Sequence, residues 1–136
     1  MISVTVDDNN TPQQLQRAAD PQGWRKPMTL SLALLVDDIA EYPPQPPRSR
    51  YIRTLDLGRA WTSAQYEVSV NTGGITGVIG NAVRSRKTGR AYGPYVQSAE
   101  DQANVHRGRW ATDEMVAERN TPAIVRIWGA WMDEQL

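Results

Sequence analysis

The chain opens with alternation. Ile2, Val4 and Val6 are separated by polar residues, which predicts a short half-buried strand. Asp7, Asp8, Asn9 and Asn10 break it. Thr11, then Pro12, with Gln14 completing a capping box, predicts a short helix to about residue 19. Asp20-Pro21 ends that helix, because a residue before proline avoids the helical region. From Pro27 the spacing becomes helical, with Leu30, Ala33, Leu34 and Val36 as the apolar positions and Asp38 and Glu41 as the wet side. The helix stops at Tyr42. The proline-rich strap 43–47 cannot continue it and favours an extended polyproline segment.

Alternation returns over 63–71, where Tyr66, Val68 and Val70 share a face, and resumes after Gly73-Gly74 with Ile75, Gly77 and Ile79. Two alternating runs around Gly-Gly predict an antiparallel hairpin. Gly77 and Gly80 weaken its second strand and mark a bulge or close packing by another backbone. Tyr92-Gly93-Pro94-Tyr95-Val96-Gln97 reads as a turn into a short extended piece, and 99–105 as a helix of about two turns. Thr112 is an N-cap, with Asp113 and Glu114 suited to a helix N-terminus. Thr121-Pro122 restarts or kinks this helix, and Ile124, Ile127, Trp128, Trp131 and Met132 form an apolar stripe beyond it. The order predicts an α+β fold: a single small domain, 1–136, with an antiparallel hairpin or sheet against several α-helices.

Composition narrows the chemistry. A chain of 136 residues suits one domain. Lys+Arg and Asp+Glu both number 15, which argues against a nucleic-acid wrapper and against a polybasic membrane-surface protein. Cysteine is absent, which excludes disulfides, thiolate metal sites and cysteine nucleophiles. The N-terminus shows no basic segment followed by an apolar one, so no signal peptide is expected. The longest apolar stretch, 30–36, is too short to cross a bilayer.

His106 is the only histidine, so a multi-histidine metal site is impossible. Nothing near it in sequence marks a nucleophile, and it reads as a structural or hydrogen-bonding residue. The doublets Asp7-Asp8 and Asp37-Asp38 lack the spacing of a calcium loop. Gly73-Gly74-Ile75-Thr76-Gly77 is no phosphate loop, since no Lys-Ser/Thr follows. No catalytic, metal or cofactor residue is therefore expected. The basic loop 84–90 is the best candidate for contact with a polyanion. Arg84, Arg86, Lys87 and Arg90 either touch phosphates or an acidic partner, or simply solvate a hairpin tip. Five tryptophans stand without a phenylalanine, and Trp128 and Trp131 can face a core or a partner.

Several segments read together carry a resemblance. They are Tyr42-Pro43-Pro44, Tyr51-Ile52-Arg53-Thr54-Leu55-Asp56-Leu57-Gly58-Arg59-Ala60-Trp61, Val78-Ile79-Gly80-Asn81, Tyr92-Gly93-Pro94-Tyr95-Val96-Gln97 and Gln102 to Trp110 with His106-Arg107-Gly108-Arg109-Trp110. In order and spacing, from about residue 30 to the C-terminus, the chain resembles the head–tail completion (neck, minor tail) proteins of tailed bacteriophages and prophages. The family glycine after Arg53-Thr54 is Leu55 here, Ala60 stands for a serine and Gly93 for an alanine. A glycine lost at a turn predicts a locally different backbone.

The resemblance implies a non-enzymatic virion protein without cofactor. It implies an α+β subunit of a hexameric ring that joins the head connector to the tail terminator or tail tube, around a channel for double-stranded DNA. Such a subunit is assembled in the host cytoplasm and located at the neck of the virion. It also implies structural or interface roles for Arg53, Thr54, Leu57, Trp61, Tyr92, Pro94, Tyr95, His106, Gly108, Arg109 and Trp110. The residues alone leave an alternative: a small nucleic-acid-binding module using the basic loop. Salt-dependent DNA binding by a monomer would favour that alternative, and a closed ring would favour the joint.

Overall fold

The computed structural model describes residues 1–7, 23–45, 47–48, 55–62, 67–71 and 74–135. Strands β1 (Ile2–Asp7), β2 (Glu67–Asn71) and β3 (Gly74–Ile79) form an antiparallel sheet in the order β1-β3-β2. The expected hairpin is present, with Val70 opposite Ile75 and Asn71 opposite Gly74. β1 adds to its other side, Ile2 opposite Ile79 and Val6 opposite Ile75. Because side chains alternate, Ile2, Val4, Val6, Val68, Val70, Ile75 and Ile79 share the core face. Helix α1 (Arg25–Ile39) covers that face. Three more α-helices follow among the described residues: α2 (Asp56–Thr62), α3 (Gly93–Gln97) and α4 (Asp113–Gln135). A 3₁₀ turn (Asn104–His106) precedes α4. The architecture is α+β.

α1 forms where expected, but its buried face is rotated from the predicted one. Met28, Leu32, Leu35, Val36 and Ile39 are buried, while Leu30 is 51% exposed. The reason is Ser31, a polar residue that is fully buried on the same face. Its hydroxyl donates to the Pro27 carbonyl at 2.8 Å and accepts the Trp128 indole N–H at 3.2 Å. Pro27 lies in the first turn, where a missing N–H leaves no intrahelical bond unmade. Gly77 marks neither a bulge nor a backbone contact. Its pairing with Val4 and Val68 is unbroken, and a Cβ there would lie 2.6 Å from Met28 Sδ and 2.9 Å from Leu32 Cδ1. The close neighbours are helix side chains.

α4 runs antiparallel to α1, since Arg119 meets Asp38 and Trp128 meets Ser31. Thr112 caps it as expected, its Oγ1 accepting the Met115 N–H at 3.2 Å. Asp113 and Glu114 occupy the first turn. The helix continues through Pro122 without restarting. Pro122 and Glu118 are both exposed, so the carbonyl that Pro122 leaves without a donor faces water. Of the predicted stripe, Trp128 is buried, and Ile124 and Trp131 are partly buried against the core. Ile127 and Met132 are half-buried. Asp38 is not on a wet side. It accepts from Arg119 Nε at 2.7 Å and from the Asn120 amide, and these hydrogen bonds hold its carboxyl below the usual carboxylate range.

Two other expectations are corrected. The segment around Pro94 is the helix α3, not an extended piece, because Pro94 presets the first turn and Gly93, Val96 and Gln97 bury at helical spacing. Residues 99–105 form no two-turn helix. Ala103 is extended, and the buried Gln102 amide donates to the Val96 carbonyl at 2.6 Å and the Trp110 carbonyl at 3.1 Å. Leu55 adopts φ +65°, the left-handed conformation that favours glycine. Its carbonyl accepts the Arg59 N–H at 3.1 Å and starts α2. The predicted helix to residue 19, Tyr66, Gly73, Pro46 and Tyr51 to Thr54 lie outside the described residues.

Two stability measurements check this account. Gly77→Ala should lower unfolding stability by about 1–3 kcal/mol in urea titration, because Met28 and Leu32 are fully buried with little room to retreat. Leu55→Gly should raise it, by about 1 kcal/mol or less, by relieving the left-handed strain.

Candidate functional site

The residues singled out by the family motifs converge on one end of the fold. Leu57, Val83 and Val96 form a second buried cluster, with Tyr42, Ala60, Tyr92 and Trp110 packed against it. They arrive from five segments of the chain. Tyr42 follows α1, Leu57 and Ala60 sit on α2, Val83 follows β3, Val96 sits on α3, and Trp110 precedes α4. The Tyr42 and Trp110 rings meet edge to face, with centroids 5.1 Å apart. The Tyr42 hydroxyl accepts the Gly58 N–H at 2.8 Å, fixing the strap's start against α2.

Buried polar side chains tie this cluster to the main core. Trp61 Nε1 donates to Gln97 Oε1 at 2.7 Å, and Gln97 Nε2 donates to the Ile39 carbonyl at 2.7 Å. Asn81 Nδ2 donates to the Leu57 carbonyl at 3.0 Å, while Asn81 Oδ1 accepts the Val83 N–H at 2.9 Å. Gln97, Asn81 and Gln102 thus do structural work that motif reading did not assign to them. Their only sequence signal is position within the quoted segments. Gly108 sits at φ +74°, so its place in His106-Arg107-Gly108-Arg109-Trp110 requires a glycine-like backbone.

Of the described residues given structural or interface roles by the resemblance, Leu57 and Trp61 are buried, Tyr92, His106 and Trp110 are half-buried, and the others face out. Tyr95 is 58% exposed although it lies on the short helix α3, whose Gly93, Val96 and Gln97 are buried. Pro94, Gly108 and Arg109 are exposed. Arg53 and Thr54 lie outside the described residues. His106 is half-buried, edge-on to Trp110 with ring centroids 6.5 Å apart. Its Nδ1 has no hydrogen-bond partner among the described residues. Burial, and secondarily the Arg109 charge, lower its pKa and keep the imidazole neutral at neutral pH. No nucleophile is hydrogen-bonded to it among the described residues.

The basic loop is an ordered small hairpin. Arg84 bridges to Ala91, Ser85 N–H donates to the Arg90 carbonyl at 2.8 Å, and Gly89 N–H donates to the Ser85 carbonyl at 2.8 Å. Arg84 Nη1 donates to the Gly89 carbonyl at 3.0 Å and braces the turn. Arg86 makes a bidentate pair with Asp56 at 2.7 and 2.6 Å, pinning the hairpin to α2. Lys87 and Arg90 are exposed, and their side chains have no ion-pair partner among the described residues. The four cations thus divide into two that hold the hairpin and two available to a partner.

Among the described residues, no group of three or more His, Asp or Glu could hold a metal ion. No described helix is long and apolar enough to cross a membrane. No protein-family model, curated protein or solved structure matches this chain.

The neutral His106 has a pH consequence. Its folded pKa lies below the unfolded one, so the unfolded chain binds the proton more readily. Its stabilising contribution is full above about pH 6.5 and falls as pH drops below that value. Thermal melts of the wild type and His106→Gln across this range should show the slope in the wild type and its loss in the variant.

Proposed function

We propose that this chain is a structural virion protein of a tailed bacteriophage. It is a head–tail completion subunit that forms a ring, hexameric in copy number, between the head connector and the tail terminator or tail tube. It performs no catalysis, and it surrounds the channel through which double-stranded DNA leaves. The observation that carries this reading is the convergence of the motif segments. Tyr42, Leu57, Tyr92 and Trp110 are distant in sequence, yet they share one apolar cluster, and side-chain hydrogen bonds link Asn81 to Leu57 and Gln97 to Trp61. This supports reading them as parts of a single structural unit and not as separate chance matches.

The exposed Tyr95 supports an interface on this unit, since an aromatic with a polar tip at the surface is a common anchor for a protein partner. A second reading, a small nucleic-acid-binding module, draws on Lys87 and Arg90, which project from a fixed hairpin without partners among the described residues.

Particle imaging with the labelled chain tests the first reading directly: density for a ring at the neck is expected. Tyr95→Ala should fold normally, because the side chain is mostly exposed, and should lower the yield of joined particles by about tenfold. A chain absent from particles, with salt-dependent DNA binding as a monomer, would establish the second reading instead.

A further inference from the structure

Charge is balanced over the whole chain, 15 cationic against 15 anionic residues, but it is not balanced locally. The hairpin 84–91 carries Arg84, Arg86, Lys87 and Arg90 with no acidic residue. Among the described residues only Arg86 of the four is paired with a carboxylate, that of Asp56. Elsewhere an open cleft of about 620 Å³ lies between the start of β1, α3 and the start of α4. Its walls include Ile2, Pro94, Ala99 and Ala117. Four carboxylates line it: Glu100, Asp101, Asp113 and Glu114. Asp113 is engaged, accepting the Ala99 N–H at 3.0 Å and lying 3.5 Å from the N-terminal ammonium. Glu100, Asp101 and Glu114 are exposed and have no cationic partner among the described residues.

The hairpin does not fill this cleft in its own molecule. Asn81 and Gly93, flanking its root, line the cleft, but no residue of 84–91 does. The Arg86–Asp56 pair and the bonds across the turn hold the tip against α2 instead.

We infer that the basic hairpin of one copy docks in the acidic cleft of a second copy, with Lys87 and Arg90 facing Glu100, Asp101 and Glu114. The inference rests on the ring-joint reading and names its subunit contact. The two surfaces are different patches of the same chain, so the contact is heterologous. A heterologous contact repeats head to tail and closes into a ring when its rotation allows. Opposite charge sets the register of the two copies. The apolar wall at Pro94 and Ala99 takes the methylene stems of the long basic side chains while their charged ends reach the carboxylates.

Charge reversal on the full chain tests it, read by analytical ultracentrifugation at high protein concentration and low ionic strength. The wild type should associate, and association should weaken as salt rises. Lys87→Glu with Arg90→Glu, and separately Glu100→Lys with Asp101→Lys and Glu114→Lys, should each weaken association by about tenfold or more. Circular dichroism of each variant verifies its fold, as all five positions are exposed. Mixing the two variants should restore association, because each offers the other an attractive contact.

A wild type that associates equally well with either set reversed would overturn this contact and leave the ring reading standing. Loss of DNA binding without loss of association would overturn it in favour of a DNA-facing hairpin. A chain that stays monomeric also overturns the contact, and rings seen in particles would then show that the joint reading survives without it.

Discussion

The height of α1 above the sheet is set by the missing side chain at position 77. β3 is the central strand, and Gly77 lies midway along it on the core face, under Met28 and Leu32. A methyl group there would occupy space those two side chains already fill. The helix consequently sits deep enough for Leu32, Leu35 and Ile39 to be buried against Ile75 and Ile79. α4 packs beside α1 and also meets β1, joined to α1 through the Trp128–Ser31 bond and the Asp38–Arg119 pair. Neither bond would form at this geometry if α1 were displaced outward.

The same helix controls the second cluster through its last carbonyl. Ile39 O accepts from Gln97, and Gln97 accepts from Trp61, so α1, α2 and α3 meet at one buried amide. A glutamine in that position is a demanding connector. It must give and receive hydrogen bonds in the directions its neighbours require, because an unpaired buried polar group is costly. Asn81 plays a parallel part between α2 and the chain leaving β3. The surface that carries Tyr95 and the basic hairpin is thus referred back, through short polar contacts, to the helix seated on Gly77.

Much of this was legible in the sequence, and the misses have specific causes. Strict alternation located β1 and the hairpin, because a half-covered sheet demands it. Thr112 with Asp113 and Glu114 announced the start of α4 through local capping chemistry. The face of α1 was misread because Ser31 is polar by composition yet buried by virtue of two partners, one of them distant in sequence. Asp38 was misread for the same reason: its partners, Arg119 and Asn120, come from another helix. The left-handed backbone at Leu55 was not legible, because leucine carries none of the local signal that a glycine would give at such a turn. α3 is a single short helix of five residues, too brief for periodicity to distinguish it from an extended turn. Of the candidate site, the segments were visible as motifs. Their convergence was not, since it depends on tertiary bonds between glutamine and asparagine side chains and backbone carbonyls.

Neutral composition misleads in a comparable way. A net charge of zero argues against a long-range field that would gather nucleic acid. It does not argue against local fields of opposite sign on two faces of one chain. Placing four cations on one hairpin and four carboxylates around one cleft gives a chain of zero net charge two local poles of opposite sign. The Arg86–Asp56 pair then matters for position more than for charge, because it fixes where the basic pole stands relative to α2. With Arg84 bracing the turn, Lys87 and Arg90 are presented from a rigid base, and little ordering remains to be lost when they meet a partner. In the proposed contact between copies, these fixed and exposed charges would set register more than strength, because salt screens pairs that stay in water.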